Sequence, residues 1–140
     1  MYCANMKNNR VIVHCNIVDK NRMRFLSAVY DTGAKYSCFS ANEISTDISE
    51  EDCKEFEKKY IRGFIGNEYS TFYKYHVNKL AIGTINLEAQ NIWITFDKAV
   101  TTNIIGYDII AQVSRLSFAN SSKEYFFTGA DELKDFLKKN

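Results

Sequence analysis

Proline is absent from this chain of 140 residues, tryptophan occurs once, and there are only two histidines. Without proline there is no proline-rich linker, and no repeat or low-complexity tract takes its place. No apolar run approaches the roughly 18 residues of a membrane span, and mean hydropathy is negative at −0.31. The opening MYCANMKNNR has no apolar h-region, so a classical secretion signal is not expected. Lys plus Arg (18) nearly balances Asp plus Glu (17), which leaves no overall field to draw in nucleic acid or anionic lipid. The four cysteines, Cys3, Cys15, Cys38 and Cys53, form no C-x-x-C pair and lie near no histidine repeat. That spacing argues against a zinc site and against a disulfide-dense scaffold. They read as reduced, half-buried packing residues. The expectations are a cytoplasmic protein with no metal, no cofactor, no nucleic-acid partner and no membrane partner.

What is present is enough for one ordinary domain, with 46% hydrophobic and 25% charged residues. Asn, Lys and Ile supply 40 of the 140 residues, the usage of an AT-rich coding genome. The patterning is mostly β. Residues 10–18 alternate Val11, Val13, Cys15 and Ile17 on one face, the period of a half-buried strand. Asp19-Lys20-Asn21-Arg22 is a turn by composition, and residues 23–30 return as the second strand of a hairpin. Residues 38–44 suit a short strand or a helical turn. Ser49-Glu50-Glu51-Asp52 is a variant capping box that predicts a helix over 50–60, with Cys53, Phe56, Glu57 and Tyr60 as a narrow stripe. Strands are expected at 60–65, 70–77, 80–82, 85–89 and 92–96, with Gly63, Gly66-Asn67 and Gly83-Thr84 at the bends. Residues 103–111 read as a short apolar helix or turn. Residues 115–118 and 124–128 read as a hairpin around Asn120-Ser121-Ser122, and 130–138 as a closing helix.

The stretch that carries chemistry is Tyr30-Asp31-Thr32-Gly33-Ala34. An acid directly after a strand, in a tight Thr-Gly turn, is a carboxylate aimed out of a sheet by rigid backbone. Thr32 offers a hydroxyl to brace it, and Gly33 permits close approach of a second backbone or a substrate. Downstream, Asn103-Ile104-Ile105-Gly106-Tyr107-Asp108 sets two apolar residues before a glycine and a short helix. With a glycine-marked hairpin between the two motifs, residues 10–111 resemble the retropepsin-like aspartic peptidases, the single-lobe family with retroviral and bacterial members, and a bacterial member in particular.

That resemblance implies a mainly β, single-lobe closed barrel with a flap hairpin, plus short helices near 50–60, 105–111 and 130–138. Residues 1–140 would form one such domain, with 1–9 as a flexible tail. It implies an aspartic endopeptidase acting on a limited set of protein or peptide substrates. One Asp-Thr-Gly is half a site, so the active form would be a homodimer with Asp31 of each subunit meeting across a two-fold axis. Phe127-Thr128-Gly129-Ala130 echoes the motif, but Phe127 stands where the acid would be. Thr32 would hydrogen-bond across the dimer, and the Gly33 carbonyl would accept from the substrate backbone. Ala34, Lys35, Phe64, Ile65 and Gly66 would line the substrate site, the last three at the tip of a flap spanning 60–75. Ile105 and Gly106 would support the active loop. In many retroviral members an acid follows Asp-Thr-Gly-Ala and pairs with a base after the downstream glycine. Here those positions are Lys35 and Tyr107, so a different brace and a preference for acidic or polar substrate side chains are expected.

Two other readings compete with this one. A thiol nucleophile would need a histidine, but His14 and Cys15 point to opposite faces of a strand; Cys38 or Cys53 with His76 is unconstrained by spacing. The other alternative keeps the fold but not the turnover: a catalytically silent dimer that binds a protein or peptide partner.

Overall fold

A computed structural model of the chain describes residues 4–7, 10–62 and 68–119. Strand β1 (Ala4–Lys7) pairs antiparallel with β2 (Arg10–Asp19), which turns back as β3 (Arg22–Tyr30). The β2–β3 connection is Lys20-Asn21, and Lys20 takes φ 57°, the left-handed backbone that so tight a turn between twisted strands demands. In β2 the alternation is complete: Val11, Val13, Cys15 and Ile17 are buried while His14 is exposed.

After residues 31–37 come β4 (Cys38–Ser40) and the single-turn helix α1 (Ala41–Ile44), so both readings of this stretch hold in succession. Strands β5 (Lys58–Arg62), β6 (Tyr69–Ile82) and β7 (Ile85–Thr95) follow, then β8 (Ile104–Ile105) and helix α2 (Tyr107–Ala119). The order across the sheet is β1-β2-β3-β8-β4-β7-β6-β5, and β2 also pairs with β6 through Cys15↔Ile82 to Val18↔Lys79. That extra pairing closes β2, β3, β8, β4, β7 and β6 into a ring, with β1 and β5 as outer strands. Inside it pack Val13, Ile17, Phe39, Val77, Leu80, Ile82, Ile92, Ile94 and Ile105, joined from one end by Ile109, Ile110 and Val113 of α2. The chain is therefore mainly β, with a closed barrel.

Several local expectations change. The capping box at Ser49 forms, with the Asp52 carboxylate accepting from the Ser49 backbone N–H at 2.9 Å and its hydroxyl at 3.0 Å. It caps only a 3-10 turn, Glu50–Cys53, not a helix to residue 60. Residues 58–62 are strand instead, because the open edge of β6 takes them in register from Lys58↔Tyr73 to Arg62↔Tyr69. Of the expected stripe only Cys53 is buried; Tyr60 is 72% exposed. A second correction concerns 115–118, which continue α2 rather than forming a strand. The reason is burial at Ile109, Ile110 and Val113, spaced to keep one helix face on the core.

Residues 70–82 and 85–95 are one continuous hairpin rather than four short strands. The polar residues Asn78, Lys79, Gln90 and Asn91 stay within it, and the backbone departs from regularity only at Ala89, with φ 53°. The 124–128 strand, the 130–138 helix and the Phe127-Thr128-Gly129 echo lie outside the described residues. Of the expected 1–9 tail, 4–7 are paired strand β1 rather than flexible, and 1–3 and 8–9 lie outside the described residues. No helix among the described residues is long and apolar enough to cross a membrane.

Candidate active site

Asp31 follows the last residue of β3, and two backbone contacts hold it there. Its N–H donates to the Ile105 carbonyl at 3.0 Å, and its own carbonyl accepts from Ala34 N–H at 3.2 Å, closing the Thr32-Gly33 turn. The side chain is fixed as well, because Gly33 N–H donates to Asp31 Oδ1 at 2.9 Å. Asp31 and Thr32 are half-buried and Gly33 is exposed. A Cβ on Gly33 would stand 3.2 Å from Asp31 Oδ1, so the glycine serves first to let the carboxylate fold back onto its own backbone.

The floor of this loop is built by β8 and the start of α2. Ile104 and Ile105 run parallel to Val29 and Tyr30, and Ile104 also pairs with Cys38. Ile105 is fully buried. At Gly106 the two segments touch: a Cβ there would lie 2.6 Å from the Tyr36 carbonyl oxygen and 2.9 Å from that of Ala34. Only a residue without a side chain fits. The next N–H, of Tyr107, donates to the Ala34 carbonyl at 2.8 Å.

The brace between the motifs is uncharged on one side. Ser37, wholly buried, donates its hydroxyl to Asp108 Oδ1 at 2.6 Å and accepts Gly106 N–H at 2.8 Å. Its own N–H donates to Asp108 Oδ2 at 3.1 Å. Asp108 sits in the first turn of α2, where a carboxylate also suits the helix dipole. Lys35 and Tyr107, by contrast, are both exposed. Ser37, Asp108 and the buried Asn103 were not singled out from sequence. Asn103 accepts from Ser40 N–H at 3.0 Å and donates to the Ser27 carbonyl at 3.1 Å and to Glu43. An acid two positions after the glycine, at a helix start, was the one available signal; a buried serine or asparagine leaves none.

Opposite the loop stands the β5–β6 hairpin, whose last described pair is Arg62↔Tyr69. Phe64, Ile65 and Gly66 lie outside the described residues. The face of β5 that carries Lys59 and Ile61 is turned inward onto a small aromatic cluster of Tyr36, Phe72 and Trp93. Lys59 Nζ donates to Tyr36 Oη at 2.9 Å, tying the hairpin arm to the 31–37 loop. That bond, with a smaller contribution from Lys35, holds the Tyr36 phenol below its ordinary pKa.

The thiol alternative loses its chemistry here. Cys15, Cys38 and Cys53 are all free and buried, fully rather than half. Burial pushes the thiols of Cys15 and Cys38 up to about 12, the reverse of what a nucleophile needs. His76 is exposed, with Nδ1 3.3 Å from Asn91 Oδ1. Among the described residues no three His, Cys, Asp or Glu side chains gather as a metal site.

No protein-family model matches this chain, and no curated protein matches it in sequence. In three dimensions it is similar to a retropepsin-like aspartic protease from Rickettsia conorii, with a TM-score of 0.58 over 80% of this chain and 78% of that one. At 12% identity the likeness establishes the fold. The chain has a retropepsin-like fold.

Proposed function

We propose that the protein is an aspartic endopeptidase, active as a symmetric homodimer in which Asp31 of each subunit forms half of the catalytic dyad. The observation that carries this reading is the fixed Asp31 carboxylate: held by Gly33 N–H at 2.9 Å, on a loop clamped from behind by Gly106. Rigid placement of a reactive carboxylate is what general acid–base work requires, since the group must meet its substrate without reorganising. One carboxylate per chain makes the second subunit necessary. Thr32 would bond across the two-fold axis, and the exposed Gly33 carbonyl would receive the substrate backbone. Ala34, Lys35, Phe64, Ile65 and Gly66 would line the substrate site.

The chemistry follows from the repulsion of two like charges. Carboxylates about 3 Å apart cannot both ionise readily, so the dyad shares one proton. The ionised member takes a proton from a bound water, whose oxygen attacks the scissile carbonyl. The protonated member donates to that carbonyl's oxygen, giving a gem-diol. As its C–N bond breaks, the carboxyl that took the water's proton gives it to the leaving nitrogen. A gem-diol hydroxyl returns a proton to the other carboxylate, restoring the shared-proton dyad. Substrate processing would be narrow, directed at one or a few protein targets.

The test is cleavage of a mixed peptide pool at several pH values by wild type and Asp31→Asn, with the oligomeric state measured alongside. The asparagine Oδ1 can still accept from Gly33 N–H, so the loop is retained while the shared proton is lost. Cleavage by the wild type alone, by a dimeric species, is the expected result. Equal cleavage by both proteins removes Asp31 from the mechanism.

A further inference from the structure

We propose that Lys35 and Lys59 form an anionic subsite between the active loop and the first arm of the hairpin, selecting peptides with an Asp or Glu side chain next to Tyr36. This rests on the reading of Asp31 as the centre of a peptide-binding cleft. The two lysines come from different elements: Lys35 from the loop that begins at Asp31, and Lys59 from β5. They converge on one ring. Lys59 Nζ lies 4.7 Å and Lys35 Nζ 5.4 Å from the Tyr36 centroid. Trp93 extends the floor, 5.5 Å from Lys59 Nζ and edge-on to Tyr36 at 5.7 Å.

Among the described residues no carboxylate pairs with either lysine: the ion pairs there are Arg22–Asp47, Lys54–Glu51, Lys74–Glu57 and Lys79–Glu88. Glu57, whose charge reaches Lys59, is held by Lys74 at 3.2 Å. Aromatic faces hold the ammonium groups in place, but two like charges on one ring still repel until an anion joins them. The depressed Tyr36 pKa records the same positive field.

An extended peptide lying between loop and hairpin presents alternate side chains to this floor. A carboxylate there gains two charge-assisted hydrogen bonds, whereas Lys or Arg meets like charge; discrimination comes from both the attraction and the repulsion. A hydrophobic side chain could use the Tyr36–Trp93 surface but would leave both ammonium groups uncompensated.

The experiment separates this subsite from turnover. The whole chain carrying Asp31→Asn, immobilised, is offered a randomised heptapeptide pool, and the retained peptides are sequenced. Asp and Glu at one position should be enriched at least fivefold over Asn and Gln. The enrichment should fall to parity when Lys35→Met and Lys59→Met are added, and Lys35→Glu alone should turn the preference toward Lys and Arg. Absence of acidic enrichment, including retention of nothing, overturns the subsite, as does enrichment indifferent to these substitutions. Exposing the retained peptides to the wild type tests the other reading: acidic enrichment that depends on the lysines, with no cleavage, overturns the peptidase assignment alone.

Discussion

Ser37 and Asp108, 71 positions apart, are joined side chain to side chain at 2.6 Å. The pair locks the 31–37 loop to the start of α2 through a hydroxyl–carboxylate bond, while Lys35 and Tyr107, at the positions where an acid and a base would otherwise pair, are both exposed. Because Ser37 Oγ also accepts Gly106 N–H, removing it strands two groups. Ser37→Ala is expected to cost about 1–3 kcal/mol, the usual penalty for unsatisfied buried polar groups. Asp108→Ala should cost a similar amount, and the double variant less than the two together by about 0.5–3 kcal/mol, as for residues in direct contact. Urea unfolding of the four proteins measures this coupling; simple additivity would show that the two side chains act independently.

Gly106 and Gly33 should respond differently to alanine. At Gly106 the new Cβ meets backbone carbonyls at 2.6 and 2.9 Å, which cannot move without opening the clamp. Gly106→Ala is expected to lose about 1–3 kcal/mol or more, as overpacked sites do. At Gly33 the sole close contact is Asp31 Oδ1 at 3.2 Å, so stability should stay within about 1 kcal/mol while the carboxylate is displaced. A peptidase assay beside thermal unfolding separates the two: Gly33→Ala should lose activity at nearly unchanged stability.

Stability should decline on the alkaline side. The folded chain keeps the Cys15 and Cys38 protons to about pH 12, whereas an ordinary thiol releases its proton near 9.0. Between those values the unfolded state binds fewer protons, so unfolding is favoured as pH rises. The contribution is fully present below pH 9 and is lost toward pH 12. The slope can reach about 1.4 kcal/mol per pH unit for each thiol. Cys15→Ala lowers stability at neutral pH by removing a packed sulfur, but it should flatten this slope by one thiol's share, so its deficit narrows as pH rises above 9. Urea midpoints from pH 8 to 11 supply the comparison, and an unchanged slope would assign the alkaline loss to other groups.

Tyr75 and Asp19, both buried, are joined by a hydrogen bond from the phenol to the carboxylate. Burial first, then that carboxylate, pushes the Tyr75 pKa upward, so the phenol stays a donor at any ordinary pH. Tyr75→Phe should therefore cost about 1–3 kcal/mol by leaving Asp19 without its donor. Adding Asp19→Asn should recover part of the loss, since a buried neutral amide is less costly than an unpaired carboxylate. Thermal unfolding of the single and double variants at pH 7 measures the recovery.

What could be read in advance was whatever a few neighbouring residues dictate. The alternation of Val11, Val13, Cys15 and Ile17 declares a strand because one face must be apolar. Asp31-Thr32-Gly33 and Ile104-Ile105-Gly106 are legible as two motifs in a familiar order, although the contact that demands a glycine at 106 is with the distant Tyr36 and Ala34 carbonyls. The same reasoning misjudged 58–62, where a helical charge order and a strand pattern coexist in one sequence. There the unpaired edge of β6, supplied from residues further along, outweighed local propensity.

The amino-acid sequence by itself determined the hairpin β2–β3, most of β6 and β7, and the turn that follows β3 at Asp31. Residues 104–105, read as helix or turn, became a strand only because β3 and β4 flank them. Tertiary structure alone decided that Ser37 reaches Asp108, that Asn103 stitches β3 to β4 and α1, and that Lys59 crosses from the hairpin to Tyr36. Those contacts join residues up to 76 positions apart. Periodicity and capping report on backbone conformation over a turn or two; they carry no information about which distant polar groups the closing ring will bury together.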